Sequence, residues 1–274
     1  MKLLIAADME GISGVVNWDQ VDAKHSEYVR FRKIMTGDVN AAIRGAFEAG
    51  ATEVVVTDGH GAGNNILIEE LDPRAHLNTG SPSPYSMVQG AGPGVEGAFF
   101  VGYHARAGSQ NGILDHTWSS RSVANVWLNG QLVGETGLNA ALCGHYQIPV
   151  LLITGDQTAC AQAIDLLGPV ETAVVKQASG RSSAECLPLV VAQQKICEAA
   201  ANALYRLRTG TAPQPFRLEQ PVELSVEFFF SEMADMAAML PKARRVEAKR
   251  ITISFEDMPA AYRTFRAAVS LARP

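Results

Sequence analysis

Carboxylates and imidazoles stand in this chain where apolar runs end. Asp8 and Glu10 follow the run Leu3 to Ala7, Asp58 and His60 follow the β-branched run Glu53 to Thr57, and His104 follows Phe99 to Tyr103. Glu135 comes just after a predicted hairpin, at the start of a helical stretch. Each residue alone has an ordinary reading: a capping or loop acid, a hydrogen-bonded loop histidine, a carboxylate favoured at a helix N-terminus. Together Asp8, Glu10, His60, His104 and Glu135 give two imidazoles and three carboxylates, a donor set that suits Zn²⁺ or a similar divalent ion. A catalytic zinc commonly keeps about three protein ligands, so five donors with one bridging carboxylate would serve two ions about 3.5–4 Å apart, with a hydroxide between them. Asp8, at a central strand end, is the candidate bridge.

These residues need a scaffold that brings several strand ends together. Residues 2 to 7 and 53 to 57 read as buried strands, with a helix between them from Thr36, a cap, to Ala49, and Gly50 as the stop. That is a βαβ unit. Gly97 to Tyr103 and Pro149 to Thr154 are further strand-length apolar runs, and Glu135 to Tyr146 and Asp156 to Leu167 have helical spacing. The fold class is therefore α/β, a mostly parallel sheet flanked by helices, whose carboxyl edge is where ligands bind. Asn129-Gly130 marks a two-residue hairpin turn between strands and predicts one antiparallel edge.

Gly168-Pro169 breaks this pattern. Beyond it lie a strand from Glu171 to Lys176, a helix from Leu187 to Leu207, a proline-containing loop, and strands at Val222 to Phe229 and Val246 to Phe255, each followed by a helix. The expected division is a catalytic α/β domain over 1–168 and a smaller α+β domain over 169–274 that contributes to oligomerisation. The cluster Lys242, Arg244, Arg245, Lys249 and Arg250 reads as a solvated or subunit-facing strand surface.

Composition narrows the partners. The net charge of -5 gives no global field to draw the protein onto nucleic acid or anionic lipid, and no apolar stretch approaches a membrane span. The four cysteines have no close pair, so a reducing cytoplasm is the expected location. Gly92-Pro-Gly94-Val-Glu-Gly97 precedes a strand, which argues against a dinucleotide site, and Gly59, Gly61 and Gly63 lack the lysine of a phosphate loop. His25, His76 and His145 read as ordinary surface or packing residues.

Six segments together resemble the D-aminopeptidase family, peptidase family M55: Asp8-Met-Glu10-Gly-Ile-Ser-Gly14, Thr57-Asp-Gly-His60, Gly102-Tyr-His104-Ala-Arg-Ala107, Asp115-His116, Val133-Gly-Glu135-Thr-Gly-Leu-Asn-Ala140 and Val174-Val-Lys-Gln177. The resemblance implies that Asp8, Glu10, His60, His104 and Glu135 are ligands of two zinc ions and that His116 is a catalytic residue beside them. It also implies hydrolysis of the N-terminal peptide bond of short peptides with a free N-terminus, D-residue peptides being favoured. A ring-like homo-oligomer, a decamer in the typical member, is implied as well. Trp118, in an altered stretch beside His116, is expected to reshape the substrate pocket. Two other readings use the same residues: a metal-dependent amidase or phosphoesterase, and a non-catalytic peptide-binding oligomer with a structural metal.

Overall fold

The computed structural model describes residues 1–273. Its first sheet has seven strands in the order β3-β2-β1-β4-β7-β8-β9. These are β1 (Lys2–Ala7), β2 (Glu53–Asp58), β3 (Ala75–Asn78), β4 (Gly97–Val101), β7 (Val150–Asp156), β8 (Glu171–Gly180) and β9 (Ser183–Cys186). All neighbours pair parallel except β8 and β9. A strand covered on both faces must be apolar on both, which is why β1 reads as a continuous apolar run. Leu3, Ile5 and Ala7 of β1 enter one core, and Leu4 and Ala6 the other.

The first core lies under two long helices packed side by side, α1 (Glu27–Glu48) and α4 (Leu189–Arg208). The helix expected to begin at Thr36 thus starts nine residues earlier. Thr36 misleads because its hydroxyl satisfies itself inside the helix, donating to the Arg32 carbonyl at 2.9 Å and accepting from the Leu67 N–H at 3.0 Å. The opposite core takes in α2 (Glu135–His145), α5 (Ser231–Ala237), α6 (Met258–Leu271) and a second sheet.

That second sheet is wholly antiparallel, in the order β11-β12-β10-β5-β6. It comprises β5 (Val123–Leu128), β6 (Gln131–Val133), β10 (Val222–Phe228), β11 (Arg244–Glu247) and β12 (Arg250–Phe255). The hairpin at Asn129-Gly130 forms, with both residues at positive φ, 48° and 78°. It does not edge the parallel sheet, however; β5 leaves to pair with β10. Residue 168 accordingly does not separate the sheets, since β8 and β9 beyond it complete the first and β5 and β6 before it belong to the second. The single strand expected over Val246 to Phe255 is two, β11 and β12. The short strand β3, mixed in polarity and at a sheet edge, has no apolar pattern to announce it and carries the exposed His76. The basic cluster lies on and around exposed β11.

The chain leaves β1 to β2 on one side and reaches β4 on the other, so the strand order reverses between β1 and β4. Crevices at such a reversal, beyond the carboxyl ends of the strands, are the natural ligand sites of open α/β sheets.

Candidate metal centre

Asp8 follows β1, His60 follows β2 by two residues, and His104 follows β4 by three. The ends of β1 and β4 come unusually close. Gly11 donates its N–H to the Gly102 carbonyl at 2.8 Å, and a Cβ at residue 11 would stand 1.9 Å from the Tyr103 carbonyl oxygen. Glycine after Glu10 is therefore a packing requirement, and it lets Glu10 turn into the crevice. Asp58 is not part of the cluster. Its carboxylate accepts the N–H groups of Asn65 and Ile66 and the Asn65 amide, while Asn65 donates in turn to the His60 carbonyl at 2.7 Å, so Asp58 shapes the loop that presents His60.

The five residues expected as ligands converge. His60 Nδ1 lies 3.0 Å from Glu10 Oε2 and 3.4 Å from Asp8 Oδ1. His104 Nε2 lies 3.1 Å from Glu135 Oε1 and 3.4 Å from Asp8 Oδ2. His116 joins them, with Nε2 3.6 Å from Glu135 Oε1 and 3.9 Å from Glu10 Oε1, and its ring stacks on His104 at 4.0 Å. Two triplets, Asp8-Glu10-His104 and His104-His116-Glu135, have ligand atoms all within 4.8 Å of one another. His60 lies outside both triplets and His116 inside one, so proximity alone does not rank His60 above His116 as a ligand.

The outer hydrogen bonds of the three imidazoles decide which nitrogen faces inward. His60 Nε2 donates to the Val21 carbonyl at 2.9 Å, His104 Nδ1 to Ala105 at 2.9 Å, and His116 Nδ1 to Leu114 at 2.9 Å. A carbonyl oxygen only accepts, so these nitrogens carry the protons and the inward nitrogens of the neutral rings carry lone pairs. Histidine ligands of metals are oriented in this way. A lone pair facing two carboxylates needs a cation between them. The buried Asp8 Oδ2 and His104 Nε2 have no hydrogen-bond partner, and such orphaned atoms at the centre of an N/O donor set are what a divalent ion satisfies.

With protons as the only cations, the groups compete for charge. Burial and the neighbouring Glu10 push Asp8 up to about 7. Burial opposes a charge on His104, but Glu135 and Asp8 outweigh it and raise the ring to about 10; His60 is raised likewise by Glu10 and Asp8 against its own burial. His116 moves the other way, lowered by burial and then by His104, and stays neutral. It stands on a loop in which Asn111, Leu114 and Trp118 all have positive φ, backbone strain of the kind concentrated at functional sites. Trp118 N–H donates to Glu135 Oε1 at 2.7 Å, which ties that loop to α2.

A buried lysine completes the support. Lys176 on β8 donates from Nζ to the carbonyls of Glu10, Ile12 and Val15 at 2.6, 2.9 and 2.7 Å, and burial lowers its pKa to about 8. The Val174-Val-Lys-Gln177 motif contains it, and the local signal is a lysine that directly follows the apolar run Ala173 to Val175. Of the remaining histidines, His25 is exposed beside Asp19, and His145 packs edge-on against Tyr146.

Above the cluster opens a cavity of about 560 Å³ lined by Asp8, Glu10, His60, His116, Trp118 and Glu135, among others. Trp118 forms its side wall, edge-on to Tyr262 and Phe265 at 5.8 and 5.2 Å. The arrangement offers a polarising centre at the bottom of a pocket sized for a small molecule.

Known proteins resemble this chain over almost its whole length. A family model described as D-aminopeptidase, Peptidase_M55, matches residues 1–267. A D-aminopeptidase of Bacillus subtilis (strain 168) is 39% identical over 277 residues, covering 99% of this chain and 98% of that protein. The solved structure of the Zn-dependent D-aminopeptidase DppA from Bacillus subtilis, a self-compartmentalizing protease, superposes with a TM-score of 0.95 at 37% identity, covering 99% of this chain and 98% of that one.

Proposed function

The chain belongs to the D-aminopeptidase family M55, and from that premise we propose that it is a zinc-dependent aminopeptidase that hydrolyses the N-terminal bond of short peptides, D-residue peptides being favoured. The observation that carries the reading is the inward convergence of Asp8, Glu10, His60, His104 and Glu135 around the orphaned Asp8 Oδ2 and His104 Nε2. These five residues would hold two zinc ions, with Asp8 shared because its two oxygens face different histidines. Bound zinc supplies a Lewis acid for the scissile carbonyl and a water acidified toward neutrality.

The chain's own groups supply the rest. With zinc held by these residues, the neutral α-amine of the substrate would be taken up at the bottom of the pocket, and the distance from that terminus to the first peptide bond would set the register of cleavage. His116, neutral and with its Nε2 lone pair turned inward, is placed to accept a proton during attack and return it to the leaving amine. Trp118 and the walls around it keep bulk water from one side of the pocket.

The assembly we propose is a ring-like homo-oligomer, a decamer, in which residues 169–274 contribute to contacts between subunits. Phe230 and Met239, 59% and 73% exposed beside the second sheet, support such contacts. Sedimentation should give ten times the chain mass of 29.3 kDa. Four free cysteines, three of them buried, support a reducing cytoplasm as the location.

The deciding experiment compares a free dipeptide with its N-acetylated copy, in D and L series, using zinc-loaded and chelated protein. Metal-dependent cleavage of the free peptides alone is expected. Equal cleavage of the blocked peptides would replace the reading with a metal-dependent amidase.

A further inference from the structure

The cavity has a second chemical end. Arg121, Arg266 and Arg273 line it, whereas its lining carboxylates are Asp8, Glu10 and Glu135 of the cluster itself. Among the described residues, arginine ion pairs involve Arg30, Arg74, Arg181, Arg206, Arg245 and Arg250, and none of the three cavity arginines. Arg266 stands on α6 and Arg273 follows the end of that helix by two residues, and both line the same cavity. Arg121 comes from a different segment, the loop between His116 and β5.

Arg266 is also oriented. Its Nη1 donates to the carbonyls of Ser83 and, at 3.1 Å, Pro84, while its Nε and Nη2 make no hydrogen bond among the described residues. The residue is half-buried. A guanidinium held by backbone on one edge, with its other donors free and no carboxylate beside it, is prepared for a planar anion.

A short peptide with both ends free carries an amine at one end and a carboxylate at the other. The cavity has at its base the donor cluster that would hold the amine-binding zinc and on its wall three arginines, the complementary order. We propose that Arg266, with Arg121 and Arg273, binds the free α-carboxylate of the substrate, so that efficient substrates are short peptides with both termini unblocked. This rests on the aminopeptidase reading above and adds a determinant of length and of the C-terminal group.

The test uses paired compounds: a D-dipeptide as the free acid and as its carboxamide, and a ketomethylene isostere of each that cannot be cleaved. Hydrolysis is followed on the zinc-loaded protein, and isostere binding is measured by calorimetry on zinc-loaded and metal-free protein. The free acid should bind at least about tenfold tighter than the carboxamide, the scale of one charge-assisted hydrogen bond or more. Arg121→Met combined with Arg266→Gln, which keeps a donor for the Ser83 carbonyl, should bring that ratio close to one. Arg263→Met, exposed on α6 and away from the cavity, should leave it unchanged. Should the double variant fail to fold, Arg121→Met alone must still lower the ratio.

Equal binding of acid and carboxamide by the unmodified protein, or a ratio that survives the substitutions, overturns the carboxylate site. The two readings fail separately. Cleavage of acid and carboxamide at equal rates retains the aminopeptidase and removes the carboxylate site. A carboxylate-dependent binding ratio, lost in the variants, in a protein that cleaves no peptide retains the carboxylate site and removes the aminopeptidase.

Discussion

Lys176 and Glu10 are 166 positions apart, yet the Lys176 ammonium donates to the Glu10 main-chain carbonyl at 2.6 Å. The same nitrogen reaches the carbonyls of Ile12 and Val15, so one buried side chain on β8 fixes the turn that delivers Glu10 to the cluster. Lys176→Met keeps comparable bulk but strands three buried carbonyls. Unfolding in urea should show a loss of roughly 3 kcal/mol or more. Zinc affinity should fall as well, because Glu10 loses its anchor. A variant as stable as the parent, with unchanged zinc affinity, would show that the turn holds itself.

Asp8 faces His60 with one oxygen and His104 with the other, both at 3.4 Å. Asp8→Ala should therefore disturb both sides of the cluster, and elemental analysis after zinc reconstitution should fall from two ions per chain to fewer than one. Retention of a full single ion would make Asp8 a ligand on one side only.

His116→Ala should leave the zinc content intact and lower kcat by about 10²–10⁴-fold, the usual contribution of a positioned acid-base group. The pairing of metal analysis with kinetics is needed because His116 Nε2 also sits 3.6 Å from Glu135. Loss of an ion would reassign the residue as a ligand, and undiminished turnover would remove it from the chemistry.

Asp38, buried on α1, accepts the Ser13 N–H at 2.9 Å, and burial raises its pKa from 3.8 to about 6 despite that bond. The folded chain then holds a proton that the unfolded chain has released between these values. The group's stabilising contribution is full below about 3.8 and is lost as pH rises to about 6. Subtracting the stability of Asp38→Asn from that of the parent, both metal-free, should give a difference that declines across this window. A flat difference would place Asp38 at its ordinary pKa.

Much of the centre was legible in the chain because strand ends announce themselves locally. Apolar runs stopping at Asp8, Asp58 and Tyr103 identify strands, and parallel strands joined by helices must bring their carboxyl ends to one edge. The same local logic could not tell Asp58, which builds a loop, from Asp8, which faces two histidines, since both are aspartates at a strand end. It also misplaced the start of α1, where the Thr36 hydroxyl mimics a cap, and the Asn129-Gly130 hairpin, whose turn is local but whose partner β10 lies some ninety residues away. Which sheet a hairpin joins is decided by the apolar faces left to cover, and that is a property of the assembled chain.

The sequence by itself determined the types of donor and the strands that carry them, because both depend on side chains and their near neighbours. Tertiary structure alone decided which nitrogens of His60, His104 and His116 bond main-chain carbonyls and which face inward, that Lys176 holds Glu10, and that Arg121 and Arg266 face one cavity. Each of those facts joins residues distant in the chain through directional hydrogen bonds or a shared volume. No composition or spacing encodes them, since an arginine on a solvated helix and an arginine in a substrate pocket look the same until the fold places them.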